Sequence, residues 1–185
     1  MTALAEGGSL VLPWNPHPAA HSTPIVVLTK VDGRLSGPFV REAAFMRDRG
    51  QRAGELPFPG LGRPPTPVGT LPVGSVDLIG SGMMTQLLLM MPGVRVGTGV
   101  RPFQGGHGRI VWMGVGESWA YVWPDGSVTG EGERALGSEL ADAYRRLSDA
   151  GLPSLSAFSL EVDPDRDSYK VECALIGRRW NHPID

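Results

Sequence analysis

The chain has 185 residues, of which 41% are hydrophobic and 19% are charged, and its formal net charge is −2. This composition is typical of a globular protein with one good core, or of one domain with a further element attached. The small net charge gives no electrostatic basis for binding nucleic acid or an anionic membrane, and neither partner is predicted.

The cysteine content and the apolar runs indicate a soluble protein of the cytoplasm. Cys173 is the single cysteine, so no disulfide can form within the chain, and its alternating surroundings favour a buried structural thiol. The longest apolar run, residues 83–91, is interrupted by Thr85 and Gln86. It is too short to span a bilayer, and no apolar leader precedes the first elements.

The first 46 residues are predicted to contain three strands. Residues 5–13 read AEGGSLVLP, a Gly-Gly turn followed by an apolar run without polar alternation. That pattern favours a strand buried on both faces. A proline-broken loop leads to a second strand at residues 24–29, which ends before the turn signal Asp32-Gly33, and residues 39–46 form a third.

A proline-rich segment and a helix are predicted next. Residues 56–73 contain six prolines and three glycines, which indicates an extended linker, with a proline-rich recognition segment as the alternative. A helix capped by Ser75 or Asp77 should then run to residue 91, where Pro92-Gly93 stops it. Its clustered methionines favour core packing over an adaptable binding surface.

Residues 94–100, VRVGTGV, alternate as a strand. The GTG triplet invites comparison with a phosphate-binding loop. It lacks a GKS or GKT ending, the GxGxxG spacing and a following helix, so it does not indicate such a loop. The GGHG sequence at residues 105–108 could surround an anion with backbone amides and the His107 imidazole, or simply connect two strands.

The most informative stretch is an aromatic hairpin, residues 105–129. Trp119, Tyr121 and Trp123 are spaced two apart and should leave one face of a strand. Ile110 and Trp112 alternate on the strand before it, and the glycine-rich residues 114–117 form the hairpin loop. Such a stripe favours packing against a helix or, alternatively, a face that binds a peptide or ligand.

The clearest helix is predicted at residues 133–150, where apolar residues recur at helical spacing, Asp142 can reach Arg145 or Arg146, and Gly151 ends the helix. Two strands follow at residues 157–162 and 168–175. The tail, residues 178–183, is polar and is predicted to be loose or docked through Trp180.

The first 52 residues resemble the end of the catalytic domain of protein-L-isoaspartate O-methyltransferases, especially those that tailor ribosomally made peptides. The resemblance lies in GGSLVLPW and in TPIVVLTKVDGRLSGPFVREAAFMRDRGQR, with residues 45–52 closing the domain. The later segments DLIGSGMM, PGVRVGTG, GGHGRIVW and SWAYVWPDGSV are similar to the accessory C-terminal domain of those enzymes.

The resemblance implies a fold class and a division of the chain. We expect an α+β protein with a mainly antiparallel sheet and two helices, preceded by the last strands of a methyltransferase-like sheet. Residues 1–52 would be those strands, residues 53–74 a Pro/Gly-rich linker, and residues 75–185 an α+β accessory domain that recognises substrate.

The chain departs from the family where the cofactor binds. The glycine-rich turn after a first strand and the acidic residue after a second, which would hold S-adenosylmethionine, are missing. No cofactor is therefore expected in this chain alone, and S-adenosylmethionine is expected only in an assembled system. The histidines and carboxylates are too scattered for a metal site, and no catalytic residue is identified.

Three functions remain open at this point. The first is a recognition module for a peptide or protein substrate, partnered by a catalytic methyltransferase chain that modifies an aspartate carboxylate. The second is a self-contained enzyme with its site at the His107 loop, using Arg101 or Arg109 to orient an acidic substrate. The third is a structural homo-oligomer. The candidate substrate-binding residues are His107, Arg109, Trp112, Trp119, Tyr121 and Trp123.

Overall fold

The computed structural model describes residues 4–14, 23–43, 66–163, 166 and 168–183. In chain order the elements are β1 (Ser9–Pro13), β2 (Thr23–Val31), β3 (Arg34–Ala43), β4 (Pro67–Thr70), α1 (Ser75–Gly80), α2 (Met83–Leu89), β5 (Arg95–Phe103), β6 (Gly106–Val115), β7 (Ser118–Val122), β8 (Ser127–Glu131), α3 (Leu136–Asp149), a 3₁₀ turn (Leu155–Ala157), β9 (Phe158–Val162), β10 (Ser168–Cys173) and β11 (Arg178–Pro183).

The strands of this described part form two sheets in which every pairing is antiparallel. The terminal sheet has the order β1-β2-β3-β9-β10-β11, and the central sheet has the order β4-β8-β7-β6-β5. The predicted α+β class with mainly antiparallel pairing is confirmed.

The terminal sheet joins the two ends of the described chain. Strand β3 pairs with β9, with Leu35 opposite Val162 and Gly37 opposite Leu160. The strands expected to close a methyltransferase-like sheet therefore share a sheet with the C-terminal strands. The boundaries at residues 52 and 74 stay a prediction, but they do not coincide with a division between the two sheets.

One prediction for the terminal sheet is wrong, and a second is decided between its two alternatives. Strand β1 is not buried on both faces: it lies at the sheet edge with β2 as its neighbour, and Leu10 and Val11 are 41% and 64% exposed. The polar tail is docked and not loose: residues 178–183 form β11 and pair with β10, which confirms the predicted alternative of docking through Trp180. Trp180 and His182 lie on the apolar side of that strand, which explains why it docks.

The last part of the predicted linker is also a strand. Residues 67–70 form β4 and pair with β8, and Leu71 after it is buried. Proline is tolerated there because β4 is an edge strand, where one side of the backbone needs no partner. The earlier linker residues, 56–65, the predicted closing segment at residues 45–52, and His17 and His21 lie outside the described residues.

The first predicted helix is two short helices. Residues 80–82 read Gly-Ser-Gly, and Gly82 has a φ of 69°, so the chain turns between α1 and α2. Neither predicted cap is used, because Gly74 precedes the helix. The Ser75 hydroxyl instead donates to the backbone oxygen of Arg109 at 2.6 Å and ties α1 to β6.

The long helix matches its prediction closely. It runs from Leu136 to Asp149, Gly151 follows with a φ of 76°, and Asp142 pairs with Arg145. Before it, Arg134 donates to the Glu139 carboxylate and, at 2.7 Å, to the backbone oxygen of Pro92. These bonds fix the start of α3 against the chain segment that follows α2.

One continuous core includes all three helices and one face of each sheet. Its fully buried members include Phe39, Phe158, Leu87, Met113 and Leu140. Cys173 is also buried there, as predicted for a structural thiol. None of the helices in the described ranges is long and apolar enough to cross a membrane.

Candidate functional site

The aromatic hairpin is present and places its rings on the face of the central sheet that the helices do not cover. Strands β6 and β7 pair with Trp112 opposite Tyr121 and Gly114 opposite Trp119. The predicted common face of Trp119, Tyr121 and Trp123 is confirmed. We define the aromatic cluster by its members Phe103, Ile110, Trp112, Trp119, Tyr121 and Trp123.

The rings of the cluster contact one another in sequence. The centroids of Trp119 and Tyr121 are 4.7 Å apart, and those of Tyr121 and Trp123 are 6.1 Å apart with nearly perpendicular planes. Phe103 stacks on Trp123 at 5.5 Å. Tilted and offset geometries of this kind add to the energy of apolar burial. The cluster is thus a second, separate hydrophobic core, and its four Trp and Tyr residues are only 3–8% exposed.

A glycine on β5 makes room for one of these rings. A Cβ atom built on Gly97 would lie 2.5 Å from Cζ2 of Trp112, which is too close for a non-bonded contact between two carbon atoms. Gly97 is directly opposite Trp112 in the β5–β6 register. The first glycine of the GTG triplet is therefore explained by the packing of an indole on the strand, as glycine in a strand commonly marks close approach.

Two indole nitrogens of the cluster differ in their partners. Trp123 Nε1 donates to the Thr129 hydroxyl at 2.9 Å, inside the protein. Trp119 Nε1 is equally buried, yet it donates to no acceptor among the residues that the structure describes. A buried donor without an acceptor costs about 1–3 kcal/mol, and each such group calls for an explanation.

A cation lies beside the cluster. The guanidinium carbon of Arg101 is 6.0 Å from the centroid of the Tyr121 ring, and Arg101 is half-buried. Burial raises the pKa of the Tyr121 phenol, while the hydrogen bond and the positive charge of Arg101 act in the opposite direction. The phenol therefore stays neutral at physiological pH, next to a permanent positive charge.

The structure does not bring His107 and Arg109 to the aromatic cluster. They alternate with Gly108 and Ile110 on β6, so their side chains leave the opposite face of the strand from Ile110 and Trp112. Both are exposed. Arg101 lies on the same face of β5 as Gly97 and Phe103. It is therefore the arginine that shares the aromatic face.

The described residues contain no group of three His, Cys, Asp or Glu side chains that could hold a metal ion. They also form no edge where parallel strands end, which is where doubly wound sheets hold nucleotide-like cofactors at a glycine-rich turn. The described strands therefore form no cradle of that kind for S-adenosylmethionine.

Comparison with known proteins gives a distant structural likeness. No protein-family model and no curated protein matches it. Among solved structures it is similar to a protein-L-isoaspartate O-methyltransferase, with a TM-score of 0.45 and 15% identity over 94% of this chain. The chain spans 49% of that protein's length. A likeness at this level does not identify an activity.

Proposed function

We propose that this chain is a substrate-recognition module that binds an aspartate-containing peptide on the aromatic face of the central sheet. It would serve a carboxyl methyltransferase-like system that acts on the aspartate side chain of a ribosomally made peptide. The methyl donor, S-adenosylmethionine, and the catalytic residues would belong to another polypeptide. The observation that carries the proposal is the buried Trp119 Nε1 group without an acceptor among the described residues.

Trp119 would supply a directional contact to the peptide backbone. A peptide carbonyl is an acceptor of the right kind for an indole N–H, and it would remove the cost of the unmet donor. Because the nitrogen is covered in the free chain, side chains must rearrange before the contact forms. Association should therefore be slower than for a preformed site.

Arg101 would select the side chain. A guanidinium carries five donors and forms two parallel bonds to a carboxylate, whereas a neutral amide cannot match both its charge and its acceptors. Arg101 already lies against Tyr121 on the aromatic face. A bound aspartate would thus be held at the half-buried rim of the cluster, near Phe103.

Titration calorimetry with the capped peptide Ala-Ala-Asp-Gly-Ala and its Asn counterpart tests this proposal. We expect the Asp peptide to bind better, and we expect Arg101→Gln to remove that preference. Trp119→Phe should weaken binding about 5- to 10-fold through loss of one hydrogen bond. Trp123→Phe is the matched control, since that indole donates within the protein and its loss should leave affinity within about two-fold. Equal losses in the two Trp variants would contradict the proposal.

The same calorimeter separates this function from that of a self-contained enzyme. Titration with S-adenosylmethionine alone should give no heat. One-to-one binding of that compound would overturn the division of labour proposed here. A His107→Ala variant should keep its peptide affinity, whereas a self-contained catalyst using that imidazole would lose about 100-fold or more in rate.

A further inference from the structure

Strand β1 is an unprotected sheet edge. It reads Ser-Leu-Val-Leu-Pro and contains no charge, and Leu10 and Val11 are 41% and 64% exposed. Proteins usually protect such edges with charged residues, prolines or very short strands, because the unpaired backbone recruits other strands.

The other edges of the two described sheets are protected. Strand β11 carries Arg178 and Arg179, β4 is four residues long and contains Pro67, and β5 contains two arginines and Pro102. β1 has no charged residue, and its one proline is at its last position. β1 is therefore the edge of these sheets that is open to pairing with another strand.

The backbone groups at this edge can be assigned from the hydrogen bonds on the other side of β1. Trp14 N–H donates to the oxygen of Pro24, and Lys30 N–H donates to the oxygen of Gly8. Bonded and non-bonded pairs alternate along an antiparallel ladder. In the register that pairs Leu10 with Leu28 and Leu12 with Val26, the even-numbered residues of β1 therefore direct their backbone N–H and C=O groups toward β2. The N–H and C=O groups of Ser9 and Val11, and the C=O of Pro13, point to the open edge.

We propose that β1 pairs antiparallel with β1 of a second copy of this chain, with the two-fold axis at Val11. In that register Val11 exchanges two hydrogen bonds with its counterpart. Each Ser9 N–H donates to the Pro13 oxygen of the other copy. Proline has no N–H to offer, so Pro13 acts only as an acceptor and the C=O of Ser9 stays bonded to water. The remaining groups of the edge complement those of a second copy.

The side chains suit the same arrangement. Leu10 of one copy lies across from Leu12 of the other, and the two Val11 side chains face each other on the opposite side of the sheet. No like charges meet, since the strand is uncharged. Two five-residue strands bury less than the roughly 1,000 Å² typical of stable interfaces. The dimer is therefore weak and reversible, with a Kd of roughly 10 μM to 1 mM.

Sedimentation equilibrium over a concentration series up to about 1 mM tests the dimer. The average mass should rise toward twice the chain mass. Val11→Lys places like charges opposite each other on the axis and should raise the Kd at least about five-fold. Val40→Lys is the matched control, because Val40 is a 45% exposed valine on β3, inside the sheet. A monomer at all concentrations, or equal effects of the two lysines, overturns the proposal.

Cross-linking tests the register independently. Directly opposite residues of a bonded antiparallel pair have Cα atoms about 5.5 Å apart, within reach of a disulfide. A Val11→Cys variant should form covalent dimers under mild oxidation, and Val40→Cys should not. The native Cys173 is buried and does not interfere. A dimer that persists in Val11→Lys and fails to cross-link through Val11→Cys overturns the assigned edge.

Discussion

The two sheets use their second faces in opposite ways. Both contribute one face to the common core. The other face of the central sheet carries the aromatic cluster, whose Trp and Tyr side chains are 3–8% exposed. The other face of the terminal sheet carries exposed valines and surface ion pairs such as Lys170–Glu161 and Arg179–Glu172. The central sheet is therefore buried on two sides and the terminal sheet on one.

This difference indicates where function should be sought. An ion-paired outer face needs nothing further to be stable in water. A second core of large aromatic rings holds a buried donor that has no acceptor among the described residues, and such a group calls for an explanation. Trp and Tyr are also the residues that most often anchor binding surfaces. The substitutions below test the contrast between the sheets, beginning with the core that they share.

Met113→Ala should give the largest effect. Met113 lies on the helix-facing side of the central sheet and is fully buried. Removing its side chain leaves a cavity in the common core and should lower the free energy of unfolding by about 2–5 kcal/mol. Urea denaturation measures this value. A loss below about 1 kcal/mol would mean that this core can collapse around the gap.

Gly97→Ala should disturb the aromatic face selectively. The new methyl group would lie 2.5 Å from the Trp112 ring, so the indole must shift, at a cost of about 1–3 kcal/mol. The near-UV circular dichroism of the tryptophans should change with it. Gly69→Ala is the control, because a Cβ there meets nothing within 4 Å. Its stability should stay within about 0.5 kcal/mol of the native chain.

His182 should make the terminal sheet sensitive to acid. Its ring is buried beside Trp14 and opposite Tyr169, and its Nε2 atom lies 2.9 Å from the backbone oxygen of Leu89. Burial lowers the pKa of His182 below its ordinary value of 6.5, and the bond to Leu89 opposes this only in part. As the pH falls through 6.5, the unfolded chain therefore binds more protons than the folded chain does.

The unfolding free energy should consequently be highest above about pH 6.5. It should then decrease with acidification by at most about 1.4 kcal/mol per pH unit from this group. Denaturation at pH 7.5, 6.5 and 5.5 should show a smaller slope for His182→Gln than for the native chain. The exposed His107, changed to Gln, is the control. Identical slopes for all three proteins would contradict the assignment.

The smallest effect should come from the outer face of the terminal sheet. Lys170 Nζ lies 3.0 Å from Glu161 Oε1 on neighbouring strands, and both side chains are partly exposed. Lys170→Gln should cost less than about 1 kcal/mol, and the difference should disappear in 1 M salt. A larger cost that persists in salt would show that this face is more buried than the ion pair indicates.

Local patterns predicted local structure well. The two-residue spacing of Trp119, Tyr121 and Trp123 predicted one strand face, and the helical spacing before Gly151 predicted α3 to within a few residues. These patterns work because each depends on a period of the backbone and on residues close in sequence.

Pairing between distant segments could not be predicted in the same way. Nothing in the sequence of β1 shows that it has one neighbour instead of two, since an apolar run fits a buried strand and an unprotected edge equally well. The polar residues 178–183 form a strand whose core-facing members, the partly buried Trp180 and the buried His182, are spaced two apart. That alternation was the available signal.

The candidate site was predicted in part. Its rings follow from periodicity, but the roles of Gly97 and Arg101 depend on the register between β5 and β6. The same register moves His107 and Arg109 to the other face. A one-residue shift in pairing exchanges the two faces of a strand, and the sequence does not specify the shift.

The pairing of β3 with β9 has a consequence for how the protein is made. Leu35 and Val162 are partners although more than 100 residues separate them. At a translation rate of about 5–20 residues per second, β3 is synthesised roughly 6–25 s before β9. During that interval the N-terminal hairpins expose an apolar surface that belongs inside the finished sheet. We therefore expect slow folding, typical of non-local topology, and a nascent chain that depends on chaperones until its last strands emerge.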